Sequence, residues 1–303
     1  MKYVITGASG HISKPLSLSL LKKGHQVSVI GRKKENLADL ISAGAIPLIG
    51  SVEDPEFLKS AFNGADAVYT MVPPRWDAVD WKGYIGKVGE QYAAAIKANS
   101  NKYVVNLSSV GAHMKDGAGP VSGLYRVEQS LNALNGINVL HLRPGYFYDN
   151  FFGSMEMIRN LHILGGNSGD KDTKLIAVDT ADIAEVAFRV LDELTFRGHG
   201  VRYICSDEPT NEQIAKMLGK AIGEPELSWI SFSDEQTLNG MLAGGLPEEV
   251  AKNYTEMGAA LRSGEMSTDY WLNRPPELGK TKFNDFARRF AQVYQGSEKS
   301  LVS

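Results

Sequence analysis

A chain of 303 residues has room for one large α/β domain, or for a nucleotide-binding domain with a smaller companion. Its hydrophobic share of 43% and charged share of 22% suit a sizeable packed core and exclude a disordered polyelectrolyte. A formal charge of -3 offers no broad basic field for nucleic acid, and the single cysteine, Cys205, excludes an intramolecular disulfide and a multi-cysteine metal site.

No stretch approaches the ~20 apolar residues that cross a bilayer, so no membrane partner is expected. The first strand starts too near Met1 to leave room for a signal peptide, and a cytoplasmic location is the expectation.

Lys2–Thr6 reads as a β-rich run that stops at Gly7. Ile12, Leu16 and Leu20 then recur at helical spacing as far as a C-cap at Gly24. A buried strand Gln26–Ile30, a helix Lys33–Ser42, a strand Ala45–Ile49, a helix Pro55–Phe62 and a strand Asp66–Thr70 follow. After the Pro73-Pro74 break, Ile85, Val88, Tyr92 and Ile96 mark one face of a long helix. Strand Tyr103–Leu107 ends in Ser108-Ser109, and a helix closing near Asn135-Gly136 precedes strand Ile137–Leu142. Strands alternating with helices at this spacing predict a doubly wound parallel sheet, a Rossmann domain over residues 1–150. Beyond it, Phe147–Asn160 reads as helix, Leu161–Lys174 as a Gly-rich loop and Lys174–Val178 as a strand. Helix Thr180–Leu194 and strand Arg202–Cys205 follow, so that residues 174–205 return to the sheet. The helix Asn211–Ile222, capped by Thr210, belongs to a smaller, mainly helical substrate or lid region over 151–303.

The link between the first strand and first helix is Thr6-Gly7-Ala8-Ser9-Gly10-His11-Ile12-Ser13. Gly7 supplies a tight turn, Gly10 lets the backbone approach a diphosphate, and Ser13 stands where a third glycine is usual. The pyrophosphate is expected on Gly7, Ser9, Gly10, His11 and Ile12, at the positive end of the helix. About 20 residues on, a protein that binds NAD presents an acid to the ribose 2′-hydroxyl. Here the second strand ends in Gly31-Arg32-Lys33-Lys34. Arg32 suits a bidentate contact to a 2′-phosphate and Lys33 adds positive potential, so NADP(H) is expected over NAD(H). At the following strand ends, Ser51 and Val52 are assigned to the adenine edge, and Met71, Val72 and Pro73 to the ribose and pyrophosphate wall. Ser108 and Pro144 complete the expected cofactor set. Tyr146, Phe147, Tyr148, Phe151 and Phe152, clustered after the Arg143-Pro144-Gly145 turn, are candidates for an apolar slot facing the nicotinamide. Phe147, Tyr148 and Phe151 are the expected substrate contacts, with Trp76 a candidate to close over them.

TGASGHIS, Arg32 after the second strand, VVNLSSVGA (Val104–Ala112), HLRPGYFYDNF (His141–Phe151) and IAVDTADIAEVA (Ile176–Ala187) together resemble the NmrA-like family of atypical short-chain dehydrogenases/reductases. The resemblance implies an NAD(P)H-binding fold and either of two functions. One is reduction of a quinone-like or conjugated small molecule; the other is a catalytically silent redox sensor that acts through a protein partner. A homodimer is compatible with both.

The wider superfamily pairs a Tyr-x-x-x-Lys acid and clamp with a serine. Ser108 or Ser109 fits the serine role, but Tyr125 is followed four residues later by Gln129. The register set by Val127-Glu128 puts Leu124 at the lysine position and Pro120 at the tyrosine position. Ser109, His113 and Tyr146 remain the catalytic candidates. A simple ketone gains about 10²–10⁴-fold from a positioned proton donor, whereas a quinone becomes a stable anion after hydride arrives and depends on one less.

Overall fold

Apolar, β-branched runs broken by glycine turns give the alternation β1 (Lys2–Ile5), α1 (Ser13–Lys22), β2 (Gln26–Gly31), α2 (Ala38–Ser42), β3 (Ile46–Ile49), α3 (Pro55–Ala61) and β4 (Ala67–Thr70). It continues through α4 (Trp81–Asn99), β5 (Tyr103–Leu107), α5 (Val121–Asn132) and β6 (Asn138–Pro144). Next come β7 (Tyr146–Phe147), α6 (Met155–Leu161), β8 (Leu164–Gly166), β9 (Ala177–Val178), α7 (Thr180–Glu193) and β10 (His199–Ile204). The chain closes with α8 (Asn211–Ile222), β11 (Trp229–Ser231), α9 (Asp234–Ala243), α10 (Glu248–Ser263), α11 (Thr268–Leu272) and α12 (Phe283–Leu301). The computed structural model describes residues 1–301.

Seven parallel strands form one sheet in the order β10-β6-β5-β4-β1-β2-β3. The chain starts at β1, winds outward to β3 and then crosses back to β4. The winding direction therefore reverses between β1 and β4, and ligands of open parallel sheets bind outside the strand ends at such a point. Leu16 and Leu20 of α1 with Ile183, Ala187 and Leu191 of α7 fill one face of the sheet. Val88, Tyr92 and Ile96 of α4 with Val127 and Leu131 of α5 fill the other. Each of the leucine, isoleucine and valine side chains contributes about 1.5–3 kcal/mol by leaving water. A buried polar chain crosses the sheet interior: Thr70 Oγ1 donates to Asn106 Oδ1 (3.0 Å), Asn106 Nδ2 meets His141 Nδ1 (3.1 Å), and His141 Nε2 meets Asn132 Oδ1 (3.0 Å). Burial drives the His141 pKa down to about 4, so its ring is neutral, with Nδ1 accepting from the Asn106 amide and Nε2 donating.

A third core lies beyond the sheet. Tyr148, Phe151 and Ile158 pack with Ile214 and Leu218 of α8 and with Phe283, Phe286 and Phe290 of α12. The helix α12 and the turn before it are tied back to the start of α7, where Arg289 pairs with Asp179 and the Thr281 amide donates to Asp182 Oδ2 at 3.1 Å.

Several boundaries differ from the sequence expectation. Lys33 lies outside any helix, because residues 35–37 form a 3-10 turn and the α-helix starts only at Ala38. The segment 148–154 is likewise 3-10 before α6 begins. The expected loop Leu161–Lys174 contains β8, which pairs in parallel with β11 some 65 residues later. Residues 174–205 return to the large sheet only through β10; β9 instead pairs with β7 in a separate two-stranded sheet. The Gly145 amide still bonds to the Ile204 carbonyl of β10 at 3.0 Å, and from Tyr146, whose amide bonds to the Ile176 carbonyl at 2.7 Å, the pairing passes to β9. No helix among the described residues is long and apolar enough to cross a membrane.

Candidate functional site

The loop from Thr6 to Ser13 sits at the β1/β4 switch point. Gly7 takes φ +60°, and a methyl there would stand 2.3 Å from Met71 Sδ, so the position has neither the conformation nor the space for a side chain. The Gly10 amide closes the turn onto the Gly7 carbonyl at 2.9 Å. The helix α1 starts with Ile12 at its N-cap and has no side-chain cap, whereas Asp or a hydroxyl caps α3, α4, α7, α8 and α9. Among the described residues, the amides of Ser9, His11 and Ile12 find no partner in the protein. Unpaired amides at a positive helix end fit a diphosphate. His11 Nδ1 reaches across to Asp149 Oδ2 at 2.8 Å, linking this loop to the segment after β7.

At the end of β2, Arg32 is exposed and has no ion-pair partner among the described residues. A second arginine, Arg75, stands nearby, paired with Glu53 and, at 3.4 Å, with Asp77. Its guanidinium lies 5.5 Å from the Tyr84 ring centroid. The Tyr84 hydroxyl is pushed up first by burial and then by Glu53, while Arg75 and Arg32 act the other way, which places both arginines within electrostatic reach of one spot.

Beyond the ends of β4 and β5 opens an apolar cavity of about 330 Å³. Leu107, Ser108, Ser109 and Val110 form one side and Met71–Pro74 another; Tyr146, Phe147 and Asn150 come from the segment after β6. Tyr254, Met257 and Leu261 of α10, with Met266 beyond it, close the top, and Trp81 and Ile85 of α4 the flank. Trp76 lies outside, its ring centroid 5.5 Å from that of Trp81 and 6.2 Å from that of Tyr254. Polar groups here are few: serine hydroxyls, the Asn150 amide and two phenols. Burial, then the neighbouring Tyr254 hydroxyl, pushes the Tyr146 pKa up to about 12 against a lowering hydrogen bond from Asn150. Burial alone raises Tyr254 to about 12. Both phenols are protonated at neutral pH and can donate a hydrogen bond into the cavity.

The model of the NmrA-like family matches residues 2–269. The chain belongs to that family. This NmrA-like protein is 22% identical over 256 residues to the NAD(P)H azoreductase of Xenophilus azovorans, covering 84% of this chain and 86% of that one. Its fold is similar to that of an NADPH-dependent quinone oxidoreductase from Escherichia coli solved with NADPH, with a TM-score of 0.79, 21% identity, and coverage of 98% and 99% of the two chains. It is also similar to Nmra, a negative transcriptional regulator solved with NAD, with a TM-score of 0.74, 13% identity, and coverage of 98% and 97%. The same fold thus serves an NADPH-dependent oxidoreductase and a transcriptional regulator solved with NAD.

In this NmrA-like chain the expected cofactor residues Gly7, Ser9, Gly10, His11, Ile12, Arg32 and Met71 follow the C-terminal ends of β1, β2 and β4, which are neighbours in the sheet. Lys33 is exposed beside Arg32, and Ser51 turns its hydroxyl onto the Glu53 amide at 3.2 Å. Val52 is buried in the core beneath the cleft, and Pro144 is buried with its carbonyl taken by the Val110 amide at 2.9 Å. Val72, Pro73 and Ser108 line the cavity, as do Tyr146, Phe147 and Ser109, whose Oγ donates to the Val110 carbonyl. Tyr148 and Phe151 do not reach it. They turn into the third core, their ring centroids 5.0 and 5.3 Å from that of Phe283 on α12. His113 lies off the cavity lining, with its Nδ1 buried and unpartnered. Sequence reasoning missed Tyr254, Met257 and Leu261, although Val250, Tyr254, Met257 and Leu261 repeat at helical spacing.

Proposed function

We propose that this protein is an NADPH-dependent reductase that passes hydride to a flat, conjugated acceptor of quinone type. The apolar cavity supports this reading: Met71–Pro74 and Ser108–Val110, at the ends of β4 and β5, line it next to the β1/β4 switch point, where open parallel sheets bind their ligands. The uncapped start of α1 and its unpaired amides would hold the diphosphate, and Arg32 the 2′-phosphate. Bound there, the nicotinamide supplies the hydride; the protein supplies position, dryness and hydrogen bonds. The similarity to the Escherichia coli oxidoreductase and to the azoreductase supports the same class of acceptor.

Leu124 and Pro120, which stand in place of the usual lysine and tyrosine, line the cavity with no ionisable group. The phenols of Tyr146 and Tyr254 are the remaining donors. A reduced quinone is itself a phenol, with a pKa near the ordinary value of about 10, whereas the two tyrosines titrate near 12. Proton transfer from tyrosine to the product anion is therefore uphill. The tyrosines hold the acceptor oxygen by hydrogen bonds, and the stable anion takes its proton from the solvent buffer as it leaves. Such a site favours acceptors whose anion is stable and disfavours simple ketones.

NADPH oxidation against a panel of quinones, azo compounds and saturated ketones tests this, with turnover expected for the first two groups and little for the third. Equal rates on ketones contradict it. Tight NADPH binding with no oxidation by any acceptor favours instead a redox sensor, a reading supported by the missing Tyr-x-x-x-Lys pair and by the fold shared with Nmra.

A further inference from the structure

Two buried charges stand behind Ser108. Glu128 of α5 is 2% exposed, and Arg143 of β6 holds both of its oxygens: Nε donates to Oε1 at 3.0 Å and Nη2 to Oε2 at 2.6 Å. The guanidinium is itself fixed, with Nη1 donating to the Tyr203 hydroxyl at 3.0 Å and to Asp269 Oδ2 at 2.9 Å. Ser108 Oγ lies 2.5 Å from Glu128 Oε1. A guanidinium carries donors only and is always charged, so both carboxylate oxygens facing it must be acceptors. The fixed charge of the guanidinium, seated bidentate on the carboxyl group, favours its ionised form, which has acceptors only. The hydrogen between Ser108 and Glu128 is therefore serine's own, and the hydroxyl has no second one to give. What Ser108 can offer the cavity is lone pairs.

Resting on the reading of the cleft as an NADPH site, we propose that Glu128 is a positioning residue that locks Ser108 as a hydrogen-bond acceptor. Ser108 then selects the N–H of the nicotinamide carboxamide. The serine stands at the end of β5, on the second-nucleotide side of the β1/β4 switch point, and lines the cavity where the nicotinamide half belongs. The same polarity bars it from the role its position suggests. With lone pairs in front and a carboxylate behind, it repels a developing oxyanion, which leaves the acceptor oxygen to the phenols of Tyr146 and Tyr254.

The test is calorimetric and needs no turnover. Dissociation constants are measured for NADPH and for its 3-acetylpyridine analogue, which keeps the carbonyl and replaces the NH₂ by methyl. Wild type should prefer NADPH by about tenfold, the effect of one hydrogen bond left unmade in a dry site. Ser108→Ala should bind the two cofactors alike, and Ser108→Thr, which keeps the hydroxyl, should restore the preference. Glu128→Ala removes the acceptor behind Ser108 and frees its hydrogen, while Asp269 still pairs with Arg143, so the preference should weaken or reverse; should that variant fail to fold, the two serine variants decide. The proposal is overturned if Ser108→Ala keeps the tenfold preference. It is equally overturned if Ser108→Ala lowers turnover about a hundredfold with both dissociation constants unchanged, because the serine would then be donating in the reaction. Absence of binding by wild type to either nucleotide would defeat the broader reading of the cleft instead.

Discussion

Gly119 lies in the turn before α5 with φ +57°, its backbone against α10. A methyl there would stand 2.1 Å from the carbonyl oxygen of Asn253 and 3.0 Å from Met257 Cβ. Both residues belong to α10, the helix that brings Tyr254, Met257 and Leu261 over the cavity. Gly119→Ala imposes left-handed backbone on a residue with a Cβ, at about 1–2 kcal/mol. It also forces the α10 carbonyl back by roughly 1 Å to reach ordinary contact, and overpacking of this kind costs about 1–3 kcal/mol. The expected outcome is a loss of about 2–5 kcal/mol in stability, with the top of the cavity lifted. Gly24→Ala is the control, because Gly24 has φ +88° but open space around its Cα and should lose only the backbone part. Thermal unfolding, NADPH calorimetry and quinone kinetics on both variants separate the effects. Gly119→Ala should raise KM for the quinone about tenfold, equivalent to about 1.4 kcal/mol of lost contact, with the NADPH dissociation constant within about twofold of wild type. An unchanged KM, or NADPH affinity lost in equal proportion, refutes the assignment of α10 as the wall of the acceptor pocket alone.

Arg32→Glu should weaken NADPH by at least about tenfold, the effect of losing one charge-assisted hydrogen bond worth about 1.5–3 kcal/mol, and leave NADH nearly unaffected in calorimetry; equal losses contradict the 2′-phosphate role. His141 titrates near 4 in the fold against 6.5 when unperturbed, so the unfolded chain takes up the proton first as pH falls. Stability should decline between pH 6.5 and 4 by about 3 kcal/mol from this residue, and His141→Gln should flatten that part of a melting-temperature series; an unchanged acid slope argues against it. With the phenols protonated up to about pH 12, kcat/KM should carry no tyrosine limb between about pH 6 and 9, and Tyr146→Phe should raise KM without altering the profile. A limb near neutrality that Tyr146→Phe removes would contradict the hydrogen-bonding role.

The Rossmann half was legible because its signals are local. Leu16 and Leu20, or Val88, Tyr92 and Ile96, repeat at helical spacing, and the turn at Gly7 needs only its own sequence neighbours. The misreadings lie where long-range packing decides. Leu164-Gly165-Gly166 has no alternation, and it becomes a strand only because Trp229–Ser231 lies alongside. Tyr148 and Phe151 read as pocket aromatics until Phe283, Phe286 and Phe290 arrive from α12 to cover them. The arrangement of Glu128 with Arg143 is likewise invisible in sequence, since their 15-residue separation crosses from a helix to a neighbouring strand. The cavity top was missed for a similar reason: the inward stripe of α10 is readable, but the surface it covers is not.

The two halves of the pocket are built on separate supports. Its base is set by strand ends fixed within a seven-stranded sheet, so change there disturbs the whole core. The side chains of Tyr254, Met257 and Leu261 hang from one helix that stands outside the large sheet and packs against α9. On the proposed reading, exchanges along that stripe would reshape the chamber to suit new guests while the nucleotide end stays as it is, giving selection a dial for chemical taste that turns by itself.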